Sequence, residues 1–533
     1  MIQRIVVFTG ALSFTVRKGI VAIADALPQT QWLICEQVQA KPLRILLRNQ
    51  WRNLKRNGWR WIPYQLGDIV ARVAKRGHRS WPRPAAVPGD RYQRSALLAR
   101  PGVDYVRCTD IHAAEVLERV RNFAPELGLS LAAPILKAPL FGLPRLGTIN
   151  LHKGKVPFYR GMPPAFWELS RGESAVGCTV HKVEAGLDTG DILQQGEVVV
   201  PPHPSVKGMQ LRLDDLGVAL MRDGVVQLGD GTARWQAQAA GGQTFRKPTL
   251  AQEAALRRRL HPRGLAQAVR DAAKDLALGA YVHVLRAGPR RRLAAAAQQR
   301  VVVLLYHRVC DELRDSLSIG VAQFDEQMAY LSDNYPLVSI DDVVASRLPR
   351  DAQRPLIAVT FEDGYRDNHD FAAPILERHR VPAGFFVSTG MIDNDLPFPH
   401  DVRKLGRGLP NMNWQQLRAM HAACFTIGSH TVTHLDCGQA PLPTVRAELE
   451  TSRQRLRDEL GKERVIFAYP FGGRANMTPA ALAVVREMDF DGCLSAYGGV
   501  NDGAIDRFNV KRVGVNYSYT RTSFRARLEG YAG

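Results

Sequence analysis

Two trains of short apolar runs, parted by a basic stretch, decide what this chain of 533 residues can fold into. The first train lies within residues 1–245: "RIVVFTG", "QWLICEQ", "LGLSLAAPI", "GTINLH", "GCTVHKV" and "GEVVV". Stretches of helical pattern separate these runs. Such alternation predicts an α/β domain with a mainly parallel sheet. Residues 246–299 are rich in Ala, Leu and Arg, punctuated by Pro and Gly, and read as short basic helices forming a linker. The second train begins at residue 300 with "RVVVLLYHRV" and continues through "LIAVTFED", "AGFFVST", "FTIGSH", "VIFAYPFG" and "FDGCLSA". Repeated strand and helix units over residues 300–533 predict a barrel-like α/β domain.

Composition limits the function classes. Hydrophobic residues make up 45% of the chain, enough for packed cores and too many for a disordered protein. The seven cysteines, at 35, 108, 178, 310, 424, 437 and 493, form no CxxC pair, so neither a cysteine zinc cage nor a disulfide framework is indicated. "MIQRIVVFTGALSF" lacks the order of a signal peptide and reads as a first strand. No run of about 18 apolar residues predicts a spanning helix. The net charge of +20 is concentrated: residues 41–100 contribute +13 and residues 246–300 contribute +10. The first block also carries Trp51, Trp59, Trp61 and Trp81. Basic residues interleaved with Trp suit an anionic membrane surface, nucleic acid or an anionic substrate handle, and equally a solvated surface with the rings packed inward. No nucleic-acid reader motif accompanies the charge, so nucleic acid is the least favoured partner.

Within the second train, "TFEDGYRDN" places Glu362, Asp363 and Gly364 directly after a strand. Taken alone, this is a turn as readily as a site. Downstream, "IGSHTVTH" carries His430 and His434 at i, i+4 spacing, which can put both imidazoles on one face of a helical turn. A carboxylate nearby would complete a three-ligand metal site with open positions. Both segments follow predicted strands, and active sites of α/β barrels lie at those carboxyl ends.

"YHRV", "TFEDGYRDN", "PILERHRVPAGFFVSTG", "IGSHTVTH" and "FAYPFG" together resemble the polysaccharide deacetylase family, of the chitooligosaccharide deacetylase type, over about residues 300–515. The resemblance implies a distorted (β/α)7 barrel that removes acyl groups from amino sugars with a divalent metal, zinc being the first choice. It assigns Asp363, His430 and His434 as metal ligands. Glu362 takes the place of the family's Asp, the general base. The family's Arg before the aromatic-Pro pair is Ala468 here, and no histidine follows His434 to serve as the late acid. His307, at the end of "VVVLLYH", is then the candidate to protonate the leaving amine, and Arg512 the candidate to orient the base.

The first train carries a second constellation. Asn150 and His152 alternate and so share one side of an extended segment; Asp188 lies in the Gly-flanked turn "GLDTGD". An amide donor, an imidazole and a carboxylate are the parts needed for acyl transfer to an amine. The run from "GTINLH" to "LDTGDIL" resembles the formyltetrahydrofolate-dependent formyltransferases, strongly over about residues 130–200. That resemblance implies a Rossmann-like sheet, 10-formyltetrahydrofolate as cosubstrate, and Asn150, His152 and Asp188 as the catalytic trio. The usual "HPSLLPKYRG" reads "HKGKVPFYRG", so Lys153 and Lys155 are departures that could pair with an acceptor phosphate.

One resemblance exposes an amine and the other consumes one. The combined expectation is a bifunctional deacetylase and N-formyltransferase acting on a small-molecule or lipid-linked amino sugar. A formyltransferase with a silent deacetylase-like module, and formylation followed by deformylation, are the alternatives. A formyltetrahydrofolate enzyme is expected in the cytoplasm, with peripheral contact at the inner membrane face as one use of the basic blocks.

Overall fold

The computed structural model describes residues 2–38, 43–63, 65, 83–260, 273, 277, 300–349, 352 and 354–529. Most of the expected basic linker, and Trp81, lie outside the described residues; Leu250–Leu260 is a helix. The chain divides into two units, Met1–Ala74 with Arg91–Pro262, and Lys75–Asp90 with Arg263–Gly533.

The first unit is built on β1 (Arg4–Thr9), β2 (Gln31–Gln37), β3 (Val103–Cys108), β4 (Leu127–Ser130), β5 (Thr148–His152), β7 (Ala175–Lys182) and β8 (Ile192–Val199), in the order β3-β2-β1-β4-β5-β7-β8. The first five are parallel; β5–β7 and β7–β8 are antiparallel. β1 shows why this sheet is covered on both faces. Ile5 and Val7 enter one core, with Ile20, Ile34, Leu129 and Met221, while Val6 and Phe8 enter the other, with Leu33, Val116 and Leu140. Strand side chains alternate between faces, so a continuous apolar run needs two cores. Each such side chain contributes about 1.5–3 kcal/mol on burial. The antiparallel return through β7 brings that strand beside β5, with Asn150 facing His181 in register. A short strand β6 (Arg160–Gly161) pairs with β9 (Thr244–Phe245) and folds the later segment over the loop that follows β5.

In the second unit, β10 (Arg300–Tyr306), β13 (Leu356–Phe361), β14 (Ala383–Val387), β15 (Thr426–Ser429), β16 (Ile466–Ala468), β17 (Gly492–Leu494) and β19 (Arg512–Gly514) are parallel to their neighbours. β18 (Asn501–Asp502) pairs antiparallel with β10. β19 lies against β10, and a bridge from Leu494 to Val510 carries the curl from β17 towards β19. The result is a curled, distorted barrel whose strand ends converge. A two-residue pair, β11 (Arg308–Val309) with β12 (Ser318–Ile319), sits just past the end of β10. Leu356–Phe361 is buried throughout, as a strand enclosed by barrel interior and helices must be. Among the described residues no helix is long and apolar enough to cross a membrane.

Candidate active sites

In the barrel unit the carboxyl ends of β13, β15 and β10 deliver the predicted residues to one place. Glu362 and Asp363 follow β13 directly and are both buried. Their side chains diverge. Asp363 Oδ1 lies 3.5 Å from His430 Nε2 and 3.4 Å from His434 Nε2. One ligand atom from each of these three residues falls within 4.8 Å of the others. Glu362 turns instead to Arg512 Nη2, which donates to Oε1, and to His307, whose Nε2 lies 3.4 Å from Oε2. Arg512 is itself buried and fixed by donating from Nε to the Ser495 carbonyl at 2.7 Å.

The donor set fits a divalent metal. His430 Nδ1 donates to the Ala468 carbonyl at 2.8 Å, so the neutral ring offers Nε2, the atom facing Asp363, as its ligand atom. Fixing the tautomer through the other ring nitrogen is how metal-binding histidines are oriented. Ala468, where the resemblance led us to expect Arg, thus serves through its backbone. Burial alone would raise the Glu362 pKa, but Arg512, His430 and His307 outweigh it and hold the carboxyl at about 2. Burial likewise opposes ionisation of Asp363, and its bonds to His430 and His434 drive it well below the usual carboxylate range. Burial would lower His430; the facing Glu362 and Asp363 raise it instead.

His430 and His434 meet without the helical turn that their spacing suggested. Residues 430–434 form no helix. Thr431 and His434 have φ of 64° and 60°, and Asp363 has φ of 73°. Left-handed backbone at non-glycine residues costs about 1–3 kcal/mol each and persists where surroundings over-determine it. Here Thr431 Oγ1 accepts from Leu435 N at 3.0 Å, and Glu448 Oε2 accepts from Val432 N and Thr433 N at 2.8 and 2.9 Å. Side chains replace the backbone carbonyls that a helix would have used.

The first unit also gathers its predicted trio. His152 Nδ1 lies 3.4 Å from Asp188 Oδ2, and Gly161 N donates to the same oxygen at 3.1 Å. His152 Nε2 donates to the Tyr159 carbonyl at 2.7 Å, since a carbonyl can only accept. The neutral ring therefore presents the Nδ1 lone pair to the carboxylate, and a proton gained there is held between the two. Gly154 makes the tether possible: a Cβ there would lie 2.3 Å from the Tyr159 carbonyl oxygen and 2.5 Å from His152 Nε2. Asn150 Nδ2 donates to His181 Nε2 at 3.2 Å, and that nitrogen lies 3.4 Å from Asp188 Oδ1. Burial lowers the His152 pKa more than Asp188 raises it, so the ring is neutral near pH 7. Burial works against the Asp188 charge, but His181, His152 and the Gly161 N–H hold its carboxyl below the usual range.

Comparison with known proteins assigns each unit. A family model for formyl transferase matches residues 93–225, and one for polysaccharide deacetylase matches residues 350–492. The chain joins a formyl transferase domain to a polysaccharide deacetylase domain. Among curated relatives, the methionyl-tRNA formyltransferase of Acidobacterium capsulatum is 31% identical over 191 residues, covering 36% of this chain and 60% of the relative. That of Syntrophus aciditrophicus is 34% identical over 172 residues, covering 32% of this chain and 51% of the relative. The chain thus spans about half to three-fifths of the length of these relatives. Among solved structures, the Streptococcus pyogenes deacetylase PplD in complex with acetate is 20% identical, covering 44% of this chain and 99% of that one, with a TM-score of 0.38. A sugar N-formyltransferase from a Shewanella species is 15% identical, covering 48% of this chain and 86% of that one, with a TM-score of 0.31.

Each domain holds a histidine that sequence reasoning missed. In the formyl transferase domain it is His181, whose Nδ1 donates to the Lys182 carbonyl at 2.8 Å. The signal was present: "GCTVHKV" alternates, and a strand returning beside β5 places one of its polar residues opposite Asn150. In the deacetylase domain it is His400, whose ring centroid is 5.8 Å from that of His434. Tyr365 Oη donates to Asp401 Oδ2 at 2.6 Å, so His400 Nε2, 2.9 Å from that hydroxyl oxygen, is the donor to it. Asp401 is neutralised in turn by Arg308, which also donates to Asp315 at 2.8 Å. Arg308 and Asp401 are both fully buried. Removing one partner of such a pair strands a charge, at a cost of about 3–5 kcal/mol. Arg308→Ala is therefore expected to destabilise the deacetylase domain by about that amount, read as a lowered midpoint in denaturant. An unchanged midpoint would contradict this role for the pair.

Proposed function

We propose that the chain is a bifunctional enzyme that removes an N-acyl group, acetyl by preference, from an amino sugar and places a formyl group on the amine. One observation carries this reading: two complete sets of acid–base groups, one suited to amide hydrolysis and one to acyl transfer onto nitrogen, are present in a single chain. The products of the first chemistry are the substrates of the second. The polysaccharide deacetylase match supports an amino sugar, free or lipid-linked, as the shared substrate class.

For deacylation, Asp363, His430 and His434 would hold a divalent metal, zinc being the first choice. The metal, when bound, polarises the amide carbonyl and lowers the pKa of water. Glu362, ionised and aimed by Arg512, accepts the proton of the attacking water. His307, on the same carboxylate, would pass a proton to the departing amine. The complete ligand set and the ordered base favour an active site over a silent binding module.

For formylation, 10-formyltetrahydrofolate supplies the formyl group. Asn150 would donate to the formyl oxygen as it gains charge, using the amide hydrogen not given to His181. His152, with Asp188 beside its free Nδ1, would take there the proton that the amine nitrogen loses as the new C–N bond forms and the cofactor's C–N bond breaks. That proton can then go to the departing cofactor nitrogen.

The test is to incubate the full chain with N-acetylated and free amino sugars, a divalent metal and 10-formyltetrahydrofolate, and to follow masses. A free amine and then an N-formyl product are expected. Formylation without any deacylation across the panel would sink the bifunctional reading. Metal loading has its own expected profile. The raised His430 pKa means that protons compete for a ligand nitrogen, so metal content after dialysis should fall as pH drops through the weakly acidic range. Asp363→Ala should bind little metal at any pH. A flat profile in the parent chain would remove these residues as ligands.

A further inference from the structure

The helix Leu43–Asn57 and the turn Gly58–Arg60 lie outside both sites and display what soluble proteins usually hide. Leu47 and Trp51, at i, i+4 spacing, share one face of the helix and are 61% and 59% exposed. Trp59 is 72% exposed and Ile62 53%. Exposed Arg44, Arg48 and Lys55 flank this strip, and Lys55 lies over the Trp51 ring, 5.4 Å from its centroid. Residues 43–63 contain six Lys/Arg and no acid.

The orientation is held from within the unit. Trp61 is buried, with Nε1 donating to Gln50 Oε1 at 2.8 Å. Asn57 Oδ1 accepts from Leu250 N at 2.9 Å, and Arg56 donates to the Lys247 carbonyl. One tryptophan thus anchors the segment inward while its two neighbours face out.

We propose that this segment is a peripheral docking surface for an anionic lipid bilayer. Trp rings settle at the headgroup level, Leu47 and Ile62 enter the acyl boundary, and the arginines meet the phosphates. Charge complementarity selects the partner, since six cations without an acid add electrostatic attraction only at an anionic surface. The apolar residues select lipid over nucleic acid, because phosphates leave Leu47 and Ile62 without a contact. The inference does not depend on the acceptor being lipid-linked.

The full chain should sediment with phosphatidylcholine vesicles containing about one-third phosphatidylglycerol at about 0.05 M salt, and far less with phosphatidylcholine alone or at about 0.5 M salt. Bromine-labelled lipid should quench its Trp emission. Trp51→Ser with Trp59→Ser, both changes at solvent-exposed positions, should weaken sedimentation by about tenfold or more with the thermal melt unchanged. Trp51→Phe with Trp59→Phe should retain sedimentation and lose most of the quenching. The proposal is overturned if the parent chain stays in the supernatant at low salt. It is equally overturned if sedimentation survives the serine changes undiminished, which would leave only a polyanion-binding basic surface.

Discussion

Glu362→Gln is expected to keep the metal and lose deacylation by roughly two to four orders of magnitude, the usual value of a positioned general base. The substitution preserves size and removes only the charge. The metal should stay because Glu362 is turned away from the ligand set, towards Arg512 and His307. Gln leaves the buried Arg512 facing an amide, and stranding a charge of this kind costs about 3–5 kcal/mol. A lost fold could therefore imitate a lost base. Two controls separate them. Formylation of a supplied free amine should be unchanged, because its groups lie in the other unit. Glu362→Asp restores a carboxylate for Arg512, shortened by one methylene, and should recover part of the activity. Deacylation by Glu362→Gln at the parent rate would show that another group is the base.

Much of this was legible along the chain. Strands such as "RVVVLLY" and "LIAVTF" announce themselves because burial on both faces needs an unbroken apolar run, and the acids after "LIAVTF" fall where a parallel strand must end. Asn150 and His152 could be placed on one side because strand alternation is strict. What stayed hidden depended on partners distant in sequence. His181 becomes a site residue only when β7 pairs antiparallel with β5 in the register that sets it opposite Asn150. His400 becomes one only through Tyr365 and Asp401, 35 and 36 residues from Tyr365 being a separation that no local pattern reports. The spacing of His430 and His434 pointed to two residues that do meet, but for an incorrect local reason. A helix was the cheapest geometry for i, i+4, but a loop with left-handed residues, closed by Thr431 and Glu448, achieves the same approach. The backbone role of Ala468 was equally invisible, because any residue there could offer that carbonyl.

In the formyl transferase domain, His152→Ala and Asp188→Ala should each lower formyl transfer by at least about a hundredfold, measured with a free amino-sugar acceptor. In the proposed mechanism the two residues act as one device. His152 gives its Nε2 proton to the Tyr159 carbonyl and so can accept only at Nδ1, the atom facing Asp188. Asp188 is held there by the Gly161 N–H and by a backbone φ of 55° in its turn. Its charge makes the proton on Nδ1 cheaper to carry, while burial keeps the resting ring neutral and ready to accept it. Because His152 is lowered below its ordinary value, the base form should persist under mildly acidic conditions, and the acid limb of formyl transfer should fall below about pH 6.5. Groups that act as a unit lose their effects non-additively. The double variant should therefore be little worse than His152→Ala alone, because Asp188 without the imidazole has no proton to share. Deacylation should be unaffected throughout. Strictly multiplicative losses would mean that His152 and Asp188 serve separate steps. Near-normal formyl transfer in both single variants, with the fold intact, would mean that the base lies elsewhere, with His181, the other imidazole facing Asp188, the first residue to replace.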